Sequence, residues 1–171
     1  STFTVKLPFT VSSTASQVVA TPRQNESPKS AALIRTSAPP SAPLSLLLVD
    51  DSPEIGQLVT LYLKGLPYRL DRAGDGPTAI ERCQARHYDL IFLDLQMPGM
   101  DGYATAKAIR DREEAQGIPR KPIIAMTADV LGPARERSMQ AGCTGFIGKP
   151  FSKATFLEAI QQYAKQALQQ P

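Results

Sequence analysis

The chain has 171 residues, of which 42% are hydrophobic and 20% charged, so one globular domain with an extension is expected. Its net charge of +3 comes entirely from residues 1–43, because residues 44–171 carry 15 basic and 15 acidic side chains. A neutral folded part argues against specific nucleic-acid binding, and no run reaches the ~18 apolar residues of a membrane span.

The N-terminal residues alternate between apolar and polar side chains. Phe3, Val5 and Leu7 share one side of residues 1–8, which predicts a half-buried strand that has no partner strand in the chain. The Ser-Thr-Phe…Leu-Pro pattern resembles the last strand of the ATP-binding domain of sensor histidine kinases. A flexible leader with accidental alternation is the alternative. Residues 9–43 are rich in Ser, Thr, Ala and Pro, which predicts a flexible linker.

From residue 44 onwards, apolar runs typical of strands alternate with stretches of helical periodicity. The predicted strands are residues 44–49, 68–73, 90–94, 122–127 and 144–148. The predicted helices are residues 53–64, 77–86, 101–115, 133–141 and 152–168. Five such β-α repeats predict one α/β domain over residues 44–168, a doubly wound parallel sheet with helices on both faces, followed by a tail of residues 169–171.

The third predicted strand delivers a carboxylate to the centre of the sheet. Four apolar residues precede Asp94, and this uninterrupted run is typical of a strand buried on both faces. The Pro98-Gly99 pair predicts a loop after it, and Asp101 is a suitable cap for the next helix. Asp94 is therefore expected at the carboxyl edge of the sheet, where open α/β sheets bind their ligands.

Other chemically active side chains follow the remaining strands. Asp50 and Asp51 come after the first strand, and Thr127 and Lys149 end the fourth and fifth. Because parallel strands share one carboxyl edge, three carboxylates would meet there and repel one another in a partly desolvated cleft. A hard divalent cation such as Mg²⁺, together with the lysine, would resolve that repulsion. Alone, the acidic pair is equally well explained as a helix cap, and Thr127 as a strand-end hydroxyl.

Four motifs together resemble the receiver domain of two-component response regulators, over about residues 44–168. The motifs are Val49-Asp50-Asp51, Leu93-Asp94 with Met97-Pro98-Gly99-Met100-Asp101-Gly102, Met126-Thr127-Ala128, and Gly148-Lys149-Pro150-Phe151. The resemblance implies a flavodoxin-like fold, (β/α)5 with strand order 2-1-3-4-5. It also implies that Asp94 is the phosphorylated nucleophile, and that Asp50, Asp51, Asp94 and the backbone carbonyl of Gln96 hold Mg²⁺.

The same resemblance implies roles for residues that contact the phosphoryl group or respond to it. Lys149 would pair with the phosphoryl oxygens, and Thr127 would hydrogen-bond one of them. The Lys149-Pro150 peptide would be cis. Phe146, by default a core aromatic, occupies the position of the family's switch residue. His87, the one histidine, precedes the third strand and is expected in a surface loop at the opposite edge, without a phosphorelay role.

The leading interpretation is a phosphoacceptor receiver, the C-terminal receiver of a hybrid sensor histidine kinase, so that the parent protein would be a kinase and hence a transferase. Its expected partners are a histidine kinase or a histidine phosphotransfer domain, because no DNA-binding helices follow the fifth helix. A stand-alone single-domain regulator is the second interpretation. A Mg²⁺-dependent phosphohydrolase of the haloacid dehalogenase type is disfavoured, since Gln96 stands where those enzymes carry a second aspartate. Two cysteines without metal or redox spacing predict reduced thiols in a cytoplasmic protein.

Overall fold

The computed structural model describes residues 43–129 and 132–167. The predicted strand of residues 1–8, the predicted linker up to residue 42 and the tail of residues 169–171 lie outside them. Ten elements alternate strictly between strand and helix. They are β1 (Leu44–Val49), α1 (Pro53–Leu63), β2 (Tyr68–Ala73), α2 (Gly76–Ala85), β3 (Leu90–Asp94), α3 (Gly102–Gln116), β4 (Ile123–Thr127), α4 (Pro133–Gln140), β5 (Gly145–Gly148) and α5 (Lys153–Ala167).

All five strands form one parallel sheet in the order β2-β1-β3-β4-β5, which confirms the predicted topology. Its register aligns the carboxyl ends of the strands. Val49 pairs with Leu93, Asp94 with Met126, and Thr127 with Gly148. The residues that follow β1, β3, β4 and β5 therefore emerge at one edge of the sheet.

The sheet is buried on both faces, which explains the uninterrupted apolar runs of its central strands. Successive side chains point to opposite faces, so Leu48 and Phe92 face one core while Leu47 and Ile91 face the other. Phe156 of α5 stacks on Phe92 with ring centres 4.2 Å apart. None of the helices in the described ranges is long and apolar enough to cross a membrane.

Side chains cap the starts of three helices, among them the predicted cap Asp101, and the predicted element boundaries agree with the structure to within about one residue. Side-chain oxygens of Ser52, Asp75 and Asp101 accept hydrogen bonds from the third residue after each, at 3.3, 2.7 and 2.8 Å. Gly65, which follows the end of α1, has a φ angle of 78°. Few other residues adopt this left-handed conformation, so glycine at that position ends the helix at little cost.

Candidate functional site

Three aspartates meet at the carboxyl edge of the sheet. Asp50 follows β1, Asp51 is the next residue, and Asp94 ends β3. One carboxylate oxygen from each lies within 4.8 Å of the others. Asp50 and Asp94 are each 5% exposed, whereas Asp51 is open to solvent. The site therefore combines two buried carboxylates with a third at its mouth.

Lys149 joins the two buried carboxylates. Its Nζ lies 2.8 Å from Oδ2 of Asp50 and 2.7 Å from Oδ2 of Asp94. The lysine follows β5, and its backbone N–H donates to the carbonyl of Thr127 at 2.7 Å, which fixes the start of the side chain beside β4. The Lys149-Pro150 peptide is cis, as predicted.

The electrostatics follow from burial and from this pairing. Burial raises the pKa of the Asp50 carboxyl above its ordinary value, although the hydrogen bonds from Lys149 and from the backbone N–H of Ser52 act in the opposite direction. Burial alone would lower the pKa of the Lys149 ammonium. The hydrogen bonds from Lys149 to Asp50 and Asp94 outweigh that effect and raise this pKa. Lys149 is therefore a firmly charged cation at neutral pH.

The donor set fits a hard divalent cation. One lysine leaves a cluster of three carboxylates with an excess of negative charge, and the converging oxygens are the ligands that Mg²⁺ prefers. Gln96 directs its backbone N–H to Oδ1 of Asp94 at 3.1 Å, which orients that carboxylate. The backbone carbonyl of Gln96 as a further metal ligand stays a prediction.

Gly102 supports the site through its lack of a side chain, a role that the sequence analysis did not assign. A Cβ at Gly102 would lie 2.2 Å from the carbonyl oxygen of Asp94 and 2.7 Å from Cα of Leu95. Only glycine therefore lets the start of α3 approach the end of β3 so closely. A glycine directly after the cap residue Asp101, at a first helical position, was the available signal.

Thr127 is the last residue of β4, and Phe146 is the second residue of the neighbouring strand β5. Thr127 is 4% exposed. Its hydroxyl accepts a hydrogen bond from the backbone N–H of Asp129 at 3.1 Å and donates one to the backbone carbonyl of Asp129 at 3.3 Å. Phe146 is half-buried beneath Arg135 of α4. Neither Asp129 nor Arg135 was singled out from the sequence. The contact of Asp129 with Thr127 is a local turn between residues two positions apart, whereas that of Arg135 with Phe146 depends on where α4 packs.

A groove of about 480 Å³ lies beside the site, between the loop after β3 and the start of α4. Its lining includes Gln96, Thr127 and Arg137 but none of the three aspartates of the cluster. His87 lies elsewhere: it is exposed and precedes β3 at the opposite edge of the sheet, as predicted. It is therefore remote from the carboxylate cluster.

Comparison with known proteins identifies the class to which this fold and site belong. Residues 46–161 match the family model of the response regulator receiver domain. The chain is 37% identical over 123 residues to hybrid signal transduction histidine kinase L of Dictyostelium discoideum, an alignment that covers 70% of this chain and 7% of that protein. It is 33% identical over 119 residues to the polar-differentiation response regulator DivK of Brucella ovis, covering 70% of this chain and 94% of DivK.

A solved structure agrees with these sequence relatives. The receiver domain of the sensor histidine kinase PA1611 from Pseudomonas aeruginosa PAO1, with a magnesium ion coordinated in its active site cleft, is 34% identical and superposes with a TM-score of 0.65. That alignment covers 72% of this chain and 99% of the neighbour. The chain belongs to the response regulator receiver family of two-component systems.

Proposed function

We propose that Asp94 accepts a phosphoryl group from a phosphohistidine and that the domain then changes conformation. The observation that carries this proposal is the environment of Asp94. It is a buried carboxylate at the end of the central strand, 2.7 Å from a lysine ammonium and clustered with two further aspartates. Packing of a hydrophobic core does not require buried charges, whereas a carboxylate nucleophile needs charges of this kind around it.

In the proposed step a carboxylate oxygen of Asp94 attacks the phosphorus atom. The new O–P bond forms as the P–N bond to the donor imidazole breaks, and the imidazole leaves with the bonding electron pair and takes up a proton. Lys149 contacts Oδ2 of Asp94 and so lies within reach of the incoming phosphoryl oxygens, where it offers a point charge. The product is an acyl phosphate on Asp94.

Asp50, Asp51 and Asp94, with the backbone carbonyl of Gln96, would hold Mg²⁺ in this proposal. When bound, the ion supplies positive charge that offsets the carboxylates and the charge of the phosphoryl oxygens. Asp50 and Asp51 differ in how firmly the protein holds their carboxylates, because they differ in exposure. Asp51 is open to solvent, whereas the buried Asp50 keeps one oxygen on the backbone N–H of Ser52 at 2.9 Å and is thereby held in place.

The proposed response begins at Thr127. Its hydroxyl now donates to a neutral backbone carbonyl at 3.3 Å, a long hydrogen bond, whereas a phosphoryl oxygen would be an anionic and stronger acceptor. Movement of Thr127 toward the phosphoryl group would release the turn at Asp129 and open space that the half-buried ring of Phe146 can enter. A phenylalanine brings no hydroxyl to be desolvated or hydrogen-bonded, so the balance between its two positions rests on packing.

We further propose that the domain belongs to a hybrid sensor histidine kinase and exchanges its phosphoryl group with a histidine kinase or a histidine phosphotransfer domain. The Dictyostelium relative and the kinase-like pattern of residues 1–8 support this context. The match over 94% of DivK supports the alternative of a stand-alone regulator. The coding sequence upstream of Ser1 distinguishes them, since a hybrid kinase requires an ATP-binding domain and a phosphorylatable histidine there.

Phosphotransfer from a purified phosphohistidine protein tests the proposed function. The wild-type chain should become labelled in Mg²⁺ and should stay unlabelled when the ion is chelated. Asp94→Asn should abolish labelling, and Asp111→Asn should not, because Asp111 is exposed on α3 and pairs only with Lys107 among the described residues. Retained labelling in Asp94→Asn would show that another residue is the acceptor.

A further inference from the structure

The helix α4 has an unusual attachment to the rest of the domain. Among its eight residues, all of which are described, Ser138 is the one buried side chain, and the cap residue Gly132 offers no side-chain hydrogen bond. Two arginines instead lie over aromatic rings of neighbouring elements. Cζ of Arg135 is 4.9 Å from the ring centre of Phe146 on β5, and Cζ of Arg137 is 4.3 Å from that of Tyr103 on α3.

We propose that Arg135 is a positioning residue that holds Phe146 in its present half-buried place and so resists phosphorylation of Asp94. This inference rests on the proposed function, because it requires the ring to move when Asp94 carries a phosphoryl group. Arg135 and Phe146 belong to different elements, and the guanidinium of the exposed Arg135 lies over the half-buried ring. A ring that turns inward, toward Thr127, must leave this contact.

The expected size of the effect follows from the exposure of the contact. Arg135 is exposed, and an exposed cation–π contact favours its own state by a factor of about two to five. A contact that exists in only one of two states biases their equilibrium by that same factor. By linkage, removal of the contact should raise the affinity of the Asp94 site for a phosphoryl mimic by the same factor, about two- to five-fold.

The sign of this effect separates it from simple loss of charge. Beryllofluoride, which mimics the phosphoryl group, binds as an anion, so removal of a cation from α4 should by charge alone weaken binding. Loss of the ring contact predicts the opposite. Arg137→Ala is the matched control, because it removes the same charge from the same exposed helix and breaks a contact with Tyr103 rather than with Phe146.

The experiment measures beryllofluoride affinity by calorimetry in Mg²⁺, with the aromatic NMR signals of Phe146 as a second readout. Arg135→Ala should bind about two- to five-fold more tightly than the wild type, and its Phe146 signals should already move toward the bound positions without the mimic. Arg137→Ala should bind equally or more weakly. In a Phe146→Leu background, which keeps apolar bulk without a ring, Arg135→Ala should no longer tighten binding.

Two failures are distinguishable. If the wild type does not bind beryllofluoride, the proposed function is refuted and the inference with it. If the wild type binds but Arg135→Ala shows no tighter binding than Arg137→Ala, or tightens binding equally in the Phe146→Leu background, the proposed function stands and Arg135 does not restrain the ring.

Discussion

Replacement of Lys149 by methionine should destabilise the domain because it leaves two buried carboxylates without their cation. The side chains of Asp50 and Asp94 are 1% and 8% exposed, and Lys149 itself is 22% exposed. Removing one partner of a buried ion pair costs roughly 3–5 kcal/mol. The partial exposure of Lys149 lets water reach the carboxylates, so a loss of about 3 kcal/mol in the free energy of unfolding is expected, at the lower end of that range.

Mg²⁺ should reduce this loss, because the carboxylates that have lost Lys149 should bind the ion more tightly than those of the wild type, and tighter binding to the folded state stabilises it more. The assay is urea unfolding at neutral pH, first with a chelator and then with excess Mg²⁺. Lys153→Met is the control: Lys153 is exposed in the first turn of α5, and its replacement should change stability by less than about 0.5 kcal/mol.

Addition of Asp50→Asn to Lys149→Met should recover part of the lost stability, since one uncompensated buried charge is removed. The reasoning is refuted if Lys149→Met unfolds like the wild type in the chelator. It is equally refuted if the loss is the same with and without Mg²⁺, because the carboxylates would then not be the source of the instability.

Three further predictions concern the rest of the domain. Arg110→Ala should lower the free energy of unfolding in urea by roughly 3–5 kcal/mol, since Arg110 forms a buried ion pair with Glu113. Lys107→Ala breaks an exposed ion pair on the same helix and should lower it by less than about 0.5 kcal/mol. Equal losses in the two variants would contradict this prediction. Burial raises the pKa of the Cys83 and Cys143 thiols from 9.0 to about 11. The folded state therefore keeps these protons to a higher pH, and the free energy of unfolding should fall between about pH 9 and about pH 11. A double variant with alanine at both cysteines should show a smaller fall. An unchanged fall in that variant would show that the thiols are not responsible. Gel-shift assays at physiological salt should detect no sequence-selective DNA binding, because residues 44–171 are electrically neutral; a selective shift would overturn this.

The order and limits of the elements followed from local sequence patterns. The apolar run before Asp94 reports burial on both faces, and cap residues such as Ser52 and Asp101 act on the backbone a few positions away, so each signal is contained within one short window. The gathering of Asp50, Asp94 and Lys149 was equally predictable, because parallel strands share one carboxyl edge.

Contacts between elements were not predictable in this way. Arg110 looks like one more charged residue on a helix, yet it is buried, because the backbone carbonyls of Lys121 and Gly142 accept hydrogen bonds from its guanidinium at 2.8 and 2.9 Å. The pairing of Arg135 with Phe146 likewise depends on where α4 lies on the sheet. Such contacts join residues that are distant in sequence, and the type of one residue does not indicate which residue it will contact.

Chemical trapping of the phosphorylated residue tests the central claim most directly. The chain is phosphorylated in Mg²⁺ and treated with borohydride, which reduces an acyl phosphate to an alcohol and so converts the modified aspartate to homoserine, and the peptides are then sequenced by mass spectrometry. The account predicts homoserine at residue 94 and unmodified aspartate at residues 50 and 51. Homoserine at either of those neighbours, or none at residue 94 in a protein that carries label, would contradict it.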